Sequence, residues 1–219
     1  MKLSKRLQAI ANLVDKDHVI LDIGTDHGLL PIYLVTNQIA KLAIASDIKA
    51  DPLKEAQKNV IKANLIDKIK LVLSDGLNNI TSYFNTVIIA GVGPKTIMSV
   101  LESGKEKTKN KTLILQSNVS THLVRTWLNK NGFKIINELL VYEKNNYYEI
   151  LKAIQGRQIL TKGDAYLGPL LKKDKNELIS KYYSHLSNKY SKLLSRIPKK
   201  QVAKREELVE IIEIYNKKR

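Results

Sequence analysis

Asp22, Gly24, Asp26, His27 and Gly28 stand within seven residues, at the end of the apolar run Val19-Ile-Leu-Asp22-Ile. An apolar strand that runs into a glycine turn and opens a helix brings carboxylates and bare backbone to one small place. Gly24 permits a tight turn and close approach to a ligand. Gly28 leaves amide donors at the first turn of the helix, where the dipole favours negative charge. The spacing is D-x-G-x-x-x-G. A dinucleotide fold uses G-x-G-x-x-G, so that its second glycine meets a pyrophosphate, and here Asp26 occupies that place. A carboxylate repels phosphate and attracts cations, so the ligand that fits is a nucleoside with an ammonium and a sulfonium, S-adenosylmethionine. Taken alone, the segment is also compatible with a strand-turn-helix that only packs.

The composition narrows the field. The 219 residues suffice for one full domain and a small appendage. No apolar run is long enough to span a bilayer, and the Met1-Lys2 start leads into a mixed amphipathic segment. A cytoplasmic protein without a membrane partner is expected. Cysteine is absent, which excludes disulfides and thiolate metal sites, and the four histidines are scattered, so no metal is expected. Methyl transfer to pyrimidine carbon 5 is excluded too, since it needs a cysteine nucleophile. The formal charge of +16 suits a polyanion held through counterion release, although 31 of the 37 basic residues are lysine, which biased codon use would also produce. Residues 156–219 carry +9 and the first 155 carry +7, so the tail is the more basic part.

The elements that must position these groups alternate. An amphipathic helix around Leu3 to Val14 precedes a strand at Val19 to Ile23, and a helix follows from Gly28 to about Val35 with Pro31 in its first turn. Leu42 to Ser46 reads as a buried strand ending at Asp47, and Asp51-Pro52 starts the next helix, with Pro at its first position and helix formers through Ala63. Strands follow at Ile69 to Leu73, Thr86 to Ala90 and Lys111 to Gln116, with helices at Lys95 to Leu101 and Ser120 to Asn131. Phe133 to Tyr142 and Tyr147 to Ile154, joined by Glu143-Lys-Asn-Asn146, form a β-hairpin. This is an α/β pattern: a mostly parallel seven-stranded sheet ending in an antiparallel hairpin, the Rossmann-like class I methyltransferase arrangement, whose ligands sit beyond the strands' carboxyl ends. The boundary is expected near Gly156, giving domains 1–155 and 156–219. In the second, Ile179, Tyr183, Leu186, Tyr190, Leu193 and Ile197 form a heptad seam before Pro198, and Val202, Leu208, Ile212 and Tyr215 on a helix from Gln201 to Asn216 can face it. A basic C-terminal α-helical coiled-coil arm is expected, with its tyrosines in the core.

Asp22-Ile-Gly24-Thr25-Asp26-His27, followed by Pro31, resembles the signature of the bacterial TrmK family, which methylates N1 of adenosine 22 in tRNA. The likeness extends over almost the whole chain, through Leu3-Ser-Lys-Arg-Leu7, Ala90-Gly91-Val92-Gly93, Leu115-Gln116-Ser117-Asn118 and the helical tail from Leu167-Gly168-Pro169. It departs at Val92 and Pro94, where the family turn reads Ala-Gly-Met-Gly-Gly, and at Ser117, where the family has proline. The resemblance implies S-adenosylmethionine as cofactor and tRNA as partner.

Roles follow position by position. Asp47, with Ile48 after it, is placed to accept the cofactor's ribose hydroxyls, or else to cap a helix. Asp75, within Ser74-Asp75-Gly76, can meet the adenine amino group while Gly76 leaves room for the ring; a plain turn is the alternative. Asp22, Thr25 and Asp26 face the aminoacyl end or the target base, and His27 polarises Asp26 or caps the helix. Ala90-Gly91-Val92-Gly93 lacks the Asn/Asp-Pro-Pro-aromatic grip on an exocyclic amine, which favours a ring nitrogen as acceptor. Catalysis then rests on in-line placement, with Asp26, Gly91 and Asn118 as candidate catalytic residues and Asp26 beside the cationic product. A paired or stacked target base must be extruded first. Lys5, Arg6, Gln116, Asn118 and Arg125 are candidates for an RNA-facing rim, and Lys172, Lys173, Lys175, Lys189, Lys192, Lys199, Lys200, Lys204 and Arg205 for a phosphate footprint. A monomeric tRNA adenine-N1 methyltransferase is the expectation; a small-molecule methyltransferase and a non-catalytic tRNA-binding protein are the rivals.

Overall fold

The computed structural model describes residues 2–217, which divide between Gln158 and Ile159 into two compact units. The first is a seven-stranded sheet in the order β3-β2-β1-β4-β5-β7-β6. Its strands are β1 (His18–Ile23), β2 (Ala40–Asp47), β3 (Ile69–Leu73), β4 (Thr86–Val92), β5 (Thr112–Ser117), β6 (Phe133–Glu143) and β7 (Asn146–Gln155). The first five are parallel, while β7 runs antiparallel to both β5 and β6. The helices are α1 (Lys5–Ala11), α2 (Leu29–Thr36), α3 (Ala50–Lys62), α4 (Pro94–Ser103), α5 (Lys105–Thr108) and α6 (Thr121–Lys130). Ile20, Leu21, Val87, Ile88, Leu113 and Ile114 are fully buried, as neighbouring residues of one strand are only when both sheet faces are covered. The chain order reverses between β1 and β4, which opens a crevice at their carboxyl ends.

Local chemistry sets the element ends. Ser4 caps α1, its Oγ accepting from Leu7 N–H. Lys144 and Asn145 both have positive φ, so the hairpin closes through two residues in the manner of a type I′ turn, tighter than the four-residue connection expected. The third helix begins at Ala50, not at Asp51-Pro52; Pro52 still lies in its first turn, where a missing N–H costs nothing. The short helix α5 gave no periodic signal because four residues are too few to show one.

Arg125 is a correction. Expected at an RNA-facing rim, it is fully buried on α6 and donates from Nε to Glu138 Oε1 (2.7 Å) and from Nη2 to Glu149 Oε1 (2.6 Å). The two carboxylates raise its affinity for the proton further still, against the effect of burial. The ion cluster ties α6 to β6 and β7, and a guanidinium so enclosed is closed to phosphate.

The second unit contains α7 (Lys162–Leu167), a 3-10 turn (Leu171–Lys173), α8 (Glu177–Arg196) and α9 (Val202–Asn216). Thr161 and Asp164 form a capping box on α7. The α8–α9 pair buries Ile179, Tyr182, Tyr183 and Ser187 against Leu208, Ile211 and Tyr215. Tyr215 tilts against Tyr183 and stacks on Tyr190, the first two buried in the core and Tyr190 half-buried. The expected seam is corrected at three positions. Leu193 and Val202 are exposed, and Ile211 is buried in place of the more accessible Ile212. The cause is the period: 3.6 residues per turn drifts from a strict heptad, moving the buried stripe by a residue.

Arg125→Ala leaves Glu138 and Glu149 buried without their cation. We expect a loss of about 3–5 kcal/mol of stability in urea unfolding monitored by circular dichroism; a loss below 1 kcal/mol contradicts the enclosed ion cluster.

Candidate active site

The turn after β1 is held from behind by β2: Gly24 N–H and Thr25 N–H both donate to Ser46 O, at 2.8 and 2.9 Å. Gly24 has φ +75°, and a Cβ built on it meets no atom within 4 Å, so the backbone faces open space. His27 (φ +54°) and Gly28 (φ +68°) are both left-handed. For histidine that is a strained state, and Asn59 Nδ2 donates to its carbonyl at 2.9 Å. Gly28 has a packing role as well, since a Cβ there stands 3.3 Å from Ala56 Cβ of α3.

Three carboxylates gather at this edge. Asp22 is buried, and that burial, with the nearby charges of Asp47 and Asp26, lifts its pKa from the ordinary 3.8 to about 6. Thr25 lies close enough to Asp22 to oppose the rise, yet its buried Oγ1 makes no hydrogen bond of normal geometry. Asp26 is exposed and pairs with His27 Nε2 at 3.2 Å. Asp47 accepts Lys49 N–H at 2.8 Å through Oδ1. Among the described residues no lysine or arginine comes within ion-pair distance of the three. Repelling carboxylates without an internal cation, an orphaned buried hydroxyl and an uncrowded glycine fit the cationic nucleoside expected from the sequence, and fit a phosphate ligand poorly.

The neighbouring strand ends complete the edge. Ser74 N–H donates to Asp47 O, and the buried Ser74 Oγ donates to Gly76 O and accepts from Asn79 N–H, which shapes the Ser74-Asp75-Gly76 turn. Lys107 Nζ clamps the carbonyls of Leu77, Asn78 and Ile80, a support that no local signal in the sequence announces. Asp75 and Ile48 are exposed, and Ala90 is half-buried at the end of β4.

At Gly91 (φ +77°) a bulge interrupts the pairing of β4 with β5. Gly91 N–H donates to Gln116 Oε1 at 3.0 Å, and Gly91 O accepts from Asn118 Nδ2 at 2.7 Å. Gln116 is a second correction: it is fully buried and serves this internal network, so it does not read RNA at the rim. Its Oε1 also accepts from Arg6 Nη1 at 2.6 Å, while the Arg6 guanidinium lies 5.4 Å from the Tyr148 ring centre. Lys5 is exposed, and its backbone N–H donates to Glu143 Oε1, which holds that carboxyl below the usual range. Glu143 and Tyr148 were missed because only the hairpin fold brings them to α1.

In the second unit Lys173, Lys175, Lys189, Lys192, Lys199, Lys200 and Lys204 are exposed and make no ion pair among the described residues. Lys172 is instead bound to Asp164. Arg205 Nη1 donates to Leu194 O and Ile197 O at the end of α8, a helix-capping role in place of the phosphate contact expected. No cluster of residues able to hold a metal ion is present among the described residues, and no helix is long and apolar enough to cross a membrane.

The chain matches the protein family described as TrmK, tRNA (adenine(22)-N(1))-methyltransferase, over residues 20–217. It is 36% identical over 192 residues to the tRNA (adenine(22)-N(1))-methyltransferase of Bacillus subtilis (strain 168), a stretch covering 84% of this chain and 81% of the relative. A crystal structure of a Streptococcus pneumoniae protein in complex with S-adenosyl-L-methionine is 33% identical, with a TM-score of 0.91 over 99% of each chain. M. capricolum TrmK in complex with S-adenosyl-homocysteine is 32% identical, with a TM-score of 0.88 over 99% of this chain and 97% of that one.

The raised pKa of Asp22 makes a pH-dependent penalty. Between pH 4 and 6 the unfolded state has released this proton and the folded state retains it, so stability falls as pH rises through that window and stays lowered above it. A shift from 3.8 to about 6 corresponds to about 3 kcal/mol. We expect Asp22→Asn to stabilise the ligand-free protein at pH 7.5 by about 2–3 kcal/mol, with the gain vanishing near pH 4. Urea unfolding across pH checks this, and a gain independent of pH removes the carboxylate as its source.

Proposed function

The chain belongs to the TrmK family of tRNA (adenine(22)-N(1))-methyltransferases, and we propose that it transfers a methyl group from S-adenosylmethionine to N1 of adenosine 22 in tRNA. The observation that carries this reading is the cluster of Asp22, Asp26 and Asp47 at the carboxyl edge of the sheet, with no lysine or arginine among the described residues in ion-pair reach. Similar chains hold S-adenosylmethionine and S-adenosyl-homocysteine, which supports the cofactor.

When bound, that cofactor supplies a methyl group made electrophilic by its sulfonium. The residues that would hold it are Asp22, Gly24, Thr25, Asp26, His27 and Gly28 on the first turn, Asp47 and Ile48 after β2, Ser74, Asp75 and Gly76 after β3, and Ala90 on β4. Asp47 Oδ2 makes no hydrogen bond among the described residues, which suits a ribose hydroxyl. Adenine N1 carries its own lone pair, so attack needs no strong base and depends on placement with water excluded. Asp26 is exposed beside the first turn and suits the positive charge that develops on the ring, with His27 orienting it. Both polar groups of Gly91 are engaged by Gln116 and Asn118, which supports a role in shaping the acceptor site.

Residues 1–155 are the cofactor-binding catalytic domain in this reading, and the lysines of 156–219 hold RNA phosphates. Lys189, Lys192, Lys199, Lys200 and Lys204 make no ion pair among the described residues, which supports that role. A tRNA substrate supports a cytoplasmic location. The α8–α9 seam is satisfied within one chain, which supports a monomer.

Incubation with unmodified tRNA and labelled cofactor, followed by nucleoside mass spectrometry, is expected to yield 1-methyladenosine; labelled product on small molecules alone, or tRNA binding without transfer, supports the rival readings. Asp47→Ala is expected to weaken cofactor binding by about 1–3 kcal/mol in calorimetry, and unchanged affinity removes Asp47 from the site. Asp26→Asn is expected to lower turnover far more than cofactor affinity, and equal losses point to binding alone.

A further inference from the structure

Beside the acidic cluster lies a polar relay whose donor and acceptor sense is fixed from end to end. Arg6 Nη1 and Gly91 N–H are both obligate donors, and both meet Gln116 Oε1, at 2.6 and 3.0 Å. Gln116 therefore cannot flip, because exchange of its oxygen and nitrogen sets an amide NH2 against two donors in a buried place. Its Nε2 must then donate to Asn118 Oδ1, at 3.2 Å. That turns Asn118 Nδ2 toward Gly91 O, at 2.7 Å. Arg6 is held in place by Gln116 and the Tyr148 ring, and a Cβ on Gly91 would stand 2.9 Å from its Nη1.

Asn118 differs from the rest of the relay in being exposed. After its internal contacts Oδ1 keeps a lone pair and Nδ2 keeps a hydrogen. A part-buried chain of hydrogen bonds centred on the buried Gln116 thus ends in a surface amide of assigned polarity, where β5 ends beside the Gly91 bulge.

We propose that Asn118 reads the methyl-accepting base as adenine, accepting from its N6 amino group and donating to N7, and that Arg6 is the positioning residue that sets the amide's sense. This rests on the proposed transfer to adenine N1. Attack by N1 requires that nitrogen to be unobstructed, which leaves the N6/N7 edge to be gripped, and an asparagine amide matches that pair. Guanine presents O6 and N7, two acceptors, so one of them opposes Asn118 Oδ1. A flipped amide would give no relief, since Oδ1 would then face N7; the sense fixed by Gln116 and Gly91 is the one that matches adenine. Lysine in place of Arg6 lacks the planar group that both donates to Gln116 and lies against Tyr148.

The test pairs enzyme and substrate changes. Methyl transfer is measured on two tRNAs, one natural and one with 7-deazaadenosine at the target nucleotide, which removes the N7 acceptor. The wild-type enzyme is expected to lose about tenfold in kcat/KM on the deaza tRNA, as for one lost hydrogen bond in a dry site. In Asn118→Ala that ratio is expected to be about tenfold smaller than in the wild type, because the contact is already gone. Arg6→Ala is expected to lower it in the same way while cofactor affinity, read by calorimetry, is unchanged. Altered basicity of the deaza ring acts on every enzyme alike and cancels between them. A merely structural role for Arg6 lowers both activities and leaves their ratio at the wild-type value. The adenine contact is overturned if wild type shows no deaza penalty or Asn118→Ala keeps it in full; a full penalty in Arg6→Ala overturns the positioning role. Absence of transfer from the wild type to natural tRNA defeats the functional reading itself, a result distinct from transfer without the N7 penalty.

Discussion

A buried carboxylate with no cation beside it is the constraint around which the catalytic unit is arranged. Asp22 sits near the end of a strand whose last four residues are buried, with Asp26 and Asp47 adding repulsion to the cost of burial. Thr25 opposes part of the rise, but no lysine or arginine among the described residues is within ion-pair distance. The cost is tolerated because the surrounding sheet is continuous and apolar on both faces, so its packing over-determines the turn. A cationic ligand would relieve the repulsion, which makes the instability of the free site and its affinity for a sulfonium nucleoside two aspects of one electrostatic fact.

The acceptor side is built on the opposite principle. At Gly91 the polar atoms are internally satisfied: N–H by Gln116, C=O by Asn118, and Gln116 in turn by Arg6. The N-terminal helix enters as a structural part of the site, since Glu143 at the end of the hairpin caps its first turn and Tyr148 lies under its arginine. One side of the crevice is charged, with a hydroxyl left unpaired. The other is a locked network that offers shape and a single exposed amide. That contrast suits a reaction in which one reactant is drawn in by charge and the other must be placed by geometry.

Much of the fold was legible because the strands are near-continuous apolar runs and the glycine turn is chemically distinctive. Leu21, Ile44, Ile88 and Ile114 announce a parallel sheet, and Asp22 to Gly28 announce the crevice. The errors lie where charge and polarity were read without knowledge of the partner. Arg125 on an amphipathic helix looks like a surface cation until Glu138 and Glu149, 13 and 24 residues further on in the hairpin, close over it. Gln116 looks like a strand-end reader of bases until Arg6, 110 residues away, takes its oxygen. Arg205 looks like a phosphate contact until the last carbonyls of α8 claim it. Each guanidinium found an oxygen acceptor inside the fold, whereas most of the lysines expected to meet phosphate stayed in solvent. The chemistry of the two side chains explains the difference: a planar fork of donors suits fixed internal acceptors, and a strongly hydrated ammonium stays in water.

That same division governs how the two ligands are held. The acidic cluster acts over a few ångströms in a partly dry edge, where dissolved salt screens little. The lysines of the second unit lie in solvent, so their attraction for phosphates arises from released counterions and weakens steeply with ionic strength. A chain of net charge +16 keeps a local negative site because the two fields differ in range: the basic field extends over the surface, while the acidic one is confined to the turn after β1 and the end of β2. Under the proposed function, one chain would hold a polyanion and a cationic nucleoside without either set of charges cancelling the other. The exposed position of Asp26, beside the buried carboxylate of Asp22, is where a transient positive charge on a substrate ring would meet the acidic field.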